Sequence, residues 1–187
     1  MKWIDYARPQ TVAEAVQLLT ERGDGARAMA GGTDLIVQLR VGRRQPDHVV
    51  DVKHIPDLNE VDTSGGGVTL GAAVPCHIIY NNEVIKDAFP ALVDSASIIG
   101  GTQIQGRASI GGNLCNAAPS ADAIPTLIAL GATANVSGST GDRSVAIEDF
   151  CTGPGQNVLG ADELLTSISI PEQGANSGAR YQRFIPR

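Results

Sequence analysis

Two short glycine-bearing segments hold most of the chemistry this sequence can offer. Ala30-Gly31-Gly32-Thr33-Asp34 lies between a strand candidate, Arg27–Ala30, and an apolar helical segment, Leu35–Leu39. Paired glycines let backbone N–H groups turn toward an anion, and the start of a following helix adds partial positive charge. Thr33 can give its hydroxyl to a phosphate oxygen or cap the helix, whereas the anionic Asp34 suits a ribose or sugar hydroxyl better. The second segment is Ser109-Ile110-Gly111-Gly112-Asn113, followed by Asn116, Pro119 and Asp122. It reads as a strand end meeting two glycines, then amides and a carboxylate. The first segment alone also reads as a plain tight turn. Two of them converging on one ligand would fit a pyrophosphate bridged between two lobes. Neither is GxGxxG or GxxxxGK[ST], so the fingerprints of the doubly wound dinucleotide fold and of the nucleoside-triphosphate loop are both missing.

Other reactive side chains show no pattern of their own. Cys76, Cys115 and Cys151 are far apart, with no CxxC pair, and read as small buried hydrophobes rather than as ligands of zinc or of an iron–sulfur cluster held by this chain alone. His48, His54 and His77 lack metal-ligand spacing and read as structural or surface residues. Nor is there a nucleophile triad or a carboxylate pair, so no catalytic residue and no metal site is expected. Arg40, Arg43 and Arg44 form a local basic cluster that reads as a solvated helix end. The whole chain carries net charge −6, the wrong sign for a protein that neutralises nucleic-acid phosphates.

These segments need elements to hold them, and 187 residues with 42% apolar and 18% charged side chains can build a real core. The 22 Gly and 10 Pro predict many short elements and close backbone approaches. Thr11-Val12-Ala13-Glu14 is a capping box, and Val12, Val16 and Leu19 continue it as an amphipathic helix closed by Gly23 and Gly25. With strands at Arg27–Ala30 and His48–Val52 and a helix at Leu35–Leu39, the first part reads as a small α/β unit. Pro56–Asp62 reads as a junction. Beyond it, a Gly65-Gly66-Gly67 turn precedes a strand at Val68–Gly71, and helices are expected at Pro75–Asn81, Ala91–Ile98 and Ile124–Leu130. Ala132–Val136 and Arg143–Ala146 form a hairpin, and Glu163–Ile170 is a last strand stopped by Pro171. Tyr181–Ile185 has strand character and is followed by only Pro186 and Arg187, from which a missing C-terminal portion is expected. MKWIDYARPQ lacks the apolar core of a secretory signal and no run is long enough for a membrane span, so the expected compartment is the cytoplasm.

One structural alternative competes for the second glycine segment. Ile98, Ile104 and Ile110 recur every six residues, with Gly at 100, 106 and 112, as in a hexapeptide β-helix. Asn116 breaks that pattern, and the helices before it leave few turns for a solenoid.

AGGTDL (Ala30–Leu35), ASIGGNLCNAAPSAD (Ala108–Asp122) and DELLTSISIP (Asp162–Pro171), with Tyr6 and Pro9 before the first helix and YQRFIPR at the end, carry a family resemblance. The chain resembles the FAD-binding medium subunit of the molybdenum hydroxylases, the group that contains carbon monoxide dehydrogenase and xanthine dehydrogenase. That resemblance implies an α+β, two-lobed FAD-binding fold of the vanillyl-alcohol-oxidase or para-cresol-methylhydroxylase type. The implied division is an N-terminal α/β lobe at 1–57, a larger α+β lobe at 58–178 and the start of a truncated C-terminal domain at 179–187. By motif position, Met29, Ala30, Gly31, Gly32, Thr33, Asp34 and Leu35 wrap the FAD pyrophosphate and ribityl region. Ser109, Ile110, Gly111, Gly112 and Asn113 supply the second pyrophosphate loop, which a valine at Gly111 is expected to invade. Asn116 and Asp122 bind the flavin's polar chain, Ile99 packs nearby, and Leu165 lies near the adenine or isoalloxazine edge. Arg183 stands where some relatives carry a lysine near the flavin, and guanidinium does not replace ammonium neutrally.

In such enzymes the organic substrate is oxidised at a molybdenum cofactor on a large subunit. Electrons pass through two [2Fe–2S] clusters on a small subunit to FAD, then to an external acceptor. The resemblance thus implies a heterotrimer, or its dimer, with this chain as the flavoprotein oxidoreductase subunit. The alternative is a non-redox binding or assembly module that keeps the fold without the flavin.

Overall fold

The computed structural model describes residues 3–184. Strand β1 (Asp5–Ala7) leads into helix α1 (Val12–Arg22). Thr11 caps the helix as expected, while Glu14 reaches back to the amide before the N-cap rather than to that of Thr11. Thr11 Oγ1 accepts from the Glu14 amide at 3.1 Å, and the Glu14 carboxylate accepts from the Gln10 amide at 2.7 Å. Ala15 and Leu19 are the buried face of α1. Gly23 ends it at φ 51°, donating its N–H to the Leu19 carbonyl, a backbone conformation that L side chains rarely adopt. Then follow β2 (Ala26–Met29), α2 (Leu35–Arg40) and β3 (His48–Asp51). The three strands make one parallel sheet in the order β1-β3-β2.

A 3-10 turn at Pro56–Asn59 fills the expected junction. Beyond it run β4 (Val61–Asp62), β5 (Val68–Gly71), α3 (Cys76–Asn81), α4 (Glu83–Ala88), α5 (Pro90–Ser97), α6 (Thr102–Gln105), α7 (Ile110–Asn116) and α8 (Ala123–Ala129). The chain continues through β6 (Thr133–Gly138), β7 (Gly141–Ala146), α9 (Ile147–Phe150), β8 (Cys151–Gly153), β9 (Gln156–Asn157) and β10 (Leu164–Ile170). Five strands form an antiparallel sheet in the order β4-β5-β10-β6-β7, and β8 pairs with β9. β10 is central, flanked by β5 and β6, which is why LLTSISI carries so many aliphatic side chains.

Two clusters hold these layers. In the larger, Leu92, Leu114, Leu127, Phe150 and Ile168 join α5, α7, α8, α9 and β10, each at most 1% exposed. Each such side chain contributes roughly 1.5–3 kcal/mol of burial. The smaller cluster gathers Leu19, Val50, Ile55 and Leu58 with Ala73 and Leu164, so residues beside β5 and in β10 close the core of the first sheet. No helix among the described residues is long and apolar enough to cross a membrane.

Several local expectations change. Ser109 does not end a strand running into two glycines. Its extended backbone (φ −125°, ψ 154°) makes it the N-cap of α7, with Oγ accepting from the Gly112 amide at 3.0 Å, so Gly111 and Gly112 lie in a first helical turn. The six-residue isoleucine repeat is no β-helix, because Ile104 sits in α6 and Ile110 opens α7. Helix α4 adds to the expected helices, with Asn82 Oδ1 capping it by accepting from the Ile85 amide at 3.1 Å. Tyr181–Phe184 forms no strand, and Ile185 to Arg187 lie outside the described residues.

Candidate functional site

A cavity of about 580 Å³ opens between the two sheets. Its wall is built from β2, the turn after it, α2, the Ala72-Ala73 corner after β5, α7, the β8–β9 hairpin and the start of β10. Both glycine segments are in it. Its volume lies within the usual range for a small-molecule site, and contributions from both sheets are the common arrangement for a cleft.

Steric facts set the two segments side by side. Gly32 has φ +75°, so only glycine turns the chain there without strain. A Cβ on Gly31 would run into the Arg107 carbonyl, and one on Gly111 would run into the Ala72 carbonyl. Each glycine therefore lets one backbone segment lie against another. Gly112 differs, because a Cβ there would meet only Ser109 Oγ, at 3.1 Å. Gly112 also lines the cavity. Arg107 Nε donates to the Gly31 carbonyl at 2.9 Å, tying the first turn to the segment that enters α7. Helix α2 begins with Ile36 donating to the Gly32 carbonyl at 3.0 Å. The amides ahead of that bond belong to the first turn, which has no partners within the helix. Asp34, its N-cap, makes no side-chain cap bond.

Charge in the wall is mixed: Arg27 and Arg44 against Asp24, Asp34 and Glu163. An anion placed here would be met by amide dipoles more than by a cationic cluster. Arg44 corrects the reading of the arginine cluster. Arg40 and Arg43 are exposed at the helix end, whereas Arg44 is half-buried and donates from Nε to Gln38 Oε1 at 2.9 Å. Gln38 in turn donates to Asn116 Oδ1 at 2.8 Å, joining α2 to α7.

At the other end of the wall, Glu163 receives Arg143 Nε and Nη2 at 2.6 and 2.7 Å. The Arg143 hydrogen bond holds its carboxyl below the ordinary value of 4.5. That pair stabilises the fold above pH 4.5, and its contribution is lost as pH falls through the lower folded value. Arg143→Met is expected to cost ~1 kcal/mol in chemical denaturation at neutral pH, with the difference from the unaltered chain vanishing in acid.

A family model described as an FAD binding domain in molybdopterin dehydrogenase matches residues 2–173. The chain belongs to that family. The glyceraldehyde dehydrogenase medium chain of Sulfolobus acidocaldarius is 36% identical over 166 residues, covering 89% of this chain and 59% of that one. The carbon monoxide dehydrogenase medium chain of Afipia carboxidovorans is 34% identical over 180 residues, covering 96% and 62%. The solved carbon monoxide dehydrogenase of Hydrogenophaga pseudoflava, lacking the Mo-pyranopterin moiety of its cofactor, superposes with TM-score 0.95 at 28% identity. That match covers 100% of this chain and 65% of the other. The two-lobed FAD-binding fold is therefore established, and this FAD-binding domain spans about three-fifths of the length of those medium chains.

Most of the residues expected at the flavin share one wall. Met29, Ala30, Gly31, Gly32, Thr33, Asp34 and Leu35 line the cavity, as do Ile99, Ser109, Gly111, Gly112, Asn113, Asn116 and Leu165. Three do not. Ile110 is 2% exposed within the larger core. Asp122 accepts from Tyr181 Oη at 3.1 Å and lies 3.8 Å from Arg183 Nε, so the FAD-binding domain spends these two residues on each other. Residues without a motif supply the rest of the wall, among them Arg27, Gln38, Arg44, Thr152 and Asn157. The cysteines are free thiols. Burial pushes Cys76 up to about 11 and Cys115, in the cavity wall, up to about 12. Among the described residues no group of three or more His, Cys, Asp or Glu is placed to hold a metal ion.

Proposed function

We propose that this chain holds FAD in the cavity between its two sheets and works as the electron-transfer flavin subunit of a molybdenum-containing hydroxylase. The observation that carries the reading is the convergence of both glycine segments, far apart in sequence, on one cavity wall. Around the pyrophosphate, the turn from Gly31 to Asp34 and the first turn of α7 offer backbone N–H groups, and Arg27 and Arg44 add positive charge. Ile99 and Leu165 supply apolar surface for a ring. The isoalloxazine supplies the redox chemistry when bound, and the protein's share is to hold it, orient it and set its surroundings. No side chain of this chain is asked to act as nucleophile or general base.

The same reading makes the chain one part of a larger enzyme, since the relatives it matches are medium chains and FAD-binding subunits. A large subunit with the molybdenum cofactor and a small subunit with [2Fe–2S] clusters are its partners, in a heterotrimer or its dimer in the cytoplasm. Electrons enter the flavin from the clusters and leave to an external acceptor. The division into lobes at 1–57 and 58–178 is supported by the parallel sheet ending at Asp51 and the antiparallel sheet starting at Val61. The test is direct: purified chain incubated with FAD and desalted should be yellow and release one equivalent of FAD on denaturation. A folded chain that retains no flavin would refute the proposal.

A further inference from the structure

Lysine is rarely buried, yet Lys53 is only 9% exposed just past the end of β3. Its ammonium donates to the Ala73 carbonyl at 2.7 Å and to the Arg107 carbonyl at 3.4 Å. These two acceptors sit where the two glycine segments are braced. The Arg107 carbonyl is the group that closes on Gly31, and Ala73 follows Ala72, whose carbonyl closes on Gly111. The stem of Lys53 is fixed in turn, because its amide donates to Asp51 Oδ1 at 3.0 Å while Asp51 Oδ2 accepts from Tyr6 Oη at 2.5 Å. A single cation from the first sheet thus joins the backbone behind both halves of the cavity wall. Burying it opposes folding, and an apolar side chain of the same length would fill the space without that cost.

We propose that Lys53 is a positioning residue for the flavin: its ammonium sets the spacing between the turn at Gly31 and the start of α7, and so the fit of the wall to a pyrophosphate. The inference rests on the flavin reading above. It has a consequence in pH. Burial pushes Lys53 down to about 8, and the Arg107 guanidinium adds to this, against the opposing pull of Cys76 and the Asp51 carboxylate. The Cys76 thiol is pushed up by burial and the Tyr6 phenol by its hydrogen bond to Asp51. Of these facing groups, Lys53 is the one that loses its charge as pH rises from neutral. Its charge-assisted hydrogen bonds then weaken, and FAD affinity falls. Folding stability moves the other way. The unfolded lysine, at 10.5, holds its proton longer than the folded one, so this residue's contribution to stability rises between about pH 8 and 10.5. A residue that only supported the fold would move both quantities together.

The experiment titrates the flavin-free full chain with FAD from neutral pH to about pH 9.5, with thermal melts of the same samples. The unaltered chain should lose affinity about tenfold across that range. Lys53→Met should bind about tenfold more weakly at neutral pH and show no pH dependence. Lys53→Arg keeps a cation that does not titrate there, and should bind tightly and evenly at every pH. If Lys53→Met does not fold, Lys53→Arg decides: retention of the original pH profile overturns the role. So does a Lys53→Met chain with normal affinity, or a flat profile in the unaltered chain. No FAD binding by the unaltered chain at any pH overturns the flavin reading itself and this role with it.

Discussion

Gly112→Val is expected to leave a folded chain that no longer retains FAD. The reason is the direction of the missing side chain. Outside its own helix backbone, a Cβ at Gly112 meets only the Ser109 hydroxyl, at 3.1 Å, which can yield slightly, and because Gly112 lines the cavity the remaining methyls of valine are expected to take up space there. Gly112 lies inside α7 and is not among the positive-φ glycines, so valine carries no backbone strain, and leaving glycine slightly favours the helix. An FAD titration should show affinity weakened at least ~100-fold, or about 2.7 kcal/mol, with circular dichroism and melting temperature close to those of the unaltered chain. Unchanged affinity would place the ligand elsewhere. Gly111→Val, which the sequence alone picks as the blocking substitution, tests something else. Its side chain faces the Ala72 carbonyl, so it disturbs packing before it reaches a ligand.

The second large effect belongs to Gly31→Ala. One methyl group is enough, because a Cβ there overlaps the Arg107 carbonyl, with the carbonyl carbon at 2.7 Å and the Ala108 amide nitrogen at 3.1 Å. Both neighbours are backbone and cannot rotate away. Moving them also strains the Arg107 bond to the Gly31 carbonyl and the Lys53 contact on the far side. Overpacking of this kind costs about 3 kcal/mol. For a chain of this size that is a fall in melting temperature of roughly 6–12 °C, accompanied by loss of FAD binding. A melting temperature within about 2 °C of the original would mean that the turn relaxes freely, and that its approach to Arg107 is not a fixed part of the site.

What could be read from the sequence was what local rules control. The N-cap at Thr11 and the helix it starts, the strand before Gly31 and the central strand β10 each carry their signal within a few residues. Ser109 shows where such rules fail: extended backbone is shared by a strand end and an N-cap, and only the Gly112 amide bonding to its hydroxyl separates them. The glycine motifs share one cavity wall, but their local pattern does not show the side each residue turns to it. Ile110 belongs to the motif yet turns inward with the helical period. Arg44, Gln38 and Asn116 form one chain of hydrogen bonds whose last link spans 78 residues, which no local pattern announces. Lys53 is of the same kind, since its meaning comes from two carbonyls, 20 and 54 residues away.

On the proposed reading, one FAD sits with its pyrophosphate between the turn at Gly31 and the start of α7, and an amide-resolved NMR titration of the chain with FAD checks that placement residue by residue. The largest shifts are expected at Gly31 to Asp34 and at Gly111 to Asn113, saturating together at one equivalent. Shifts confined elsewhere, or saturating separately at the two segments, would contradict it.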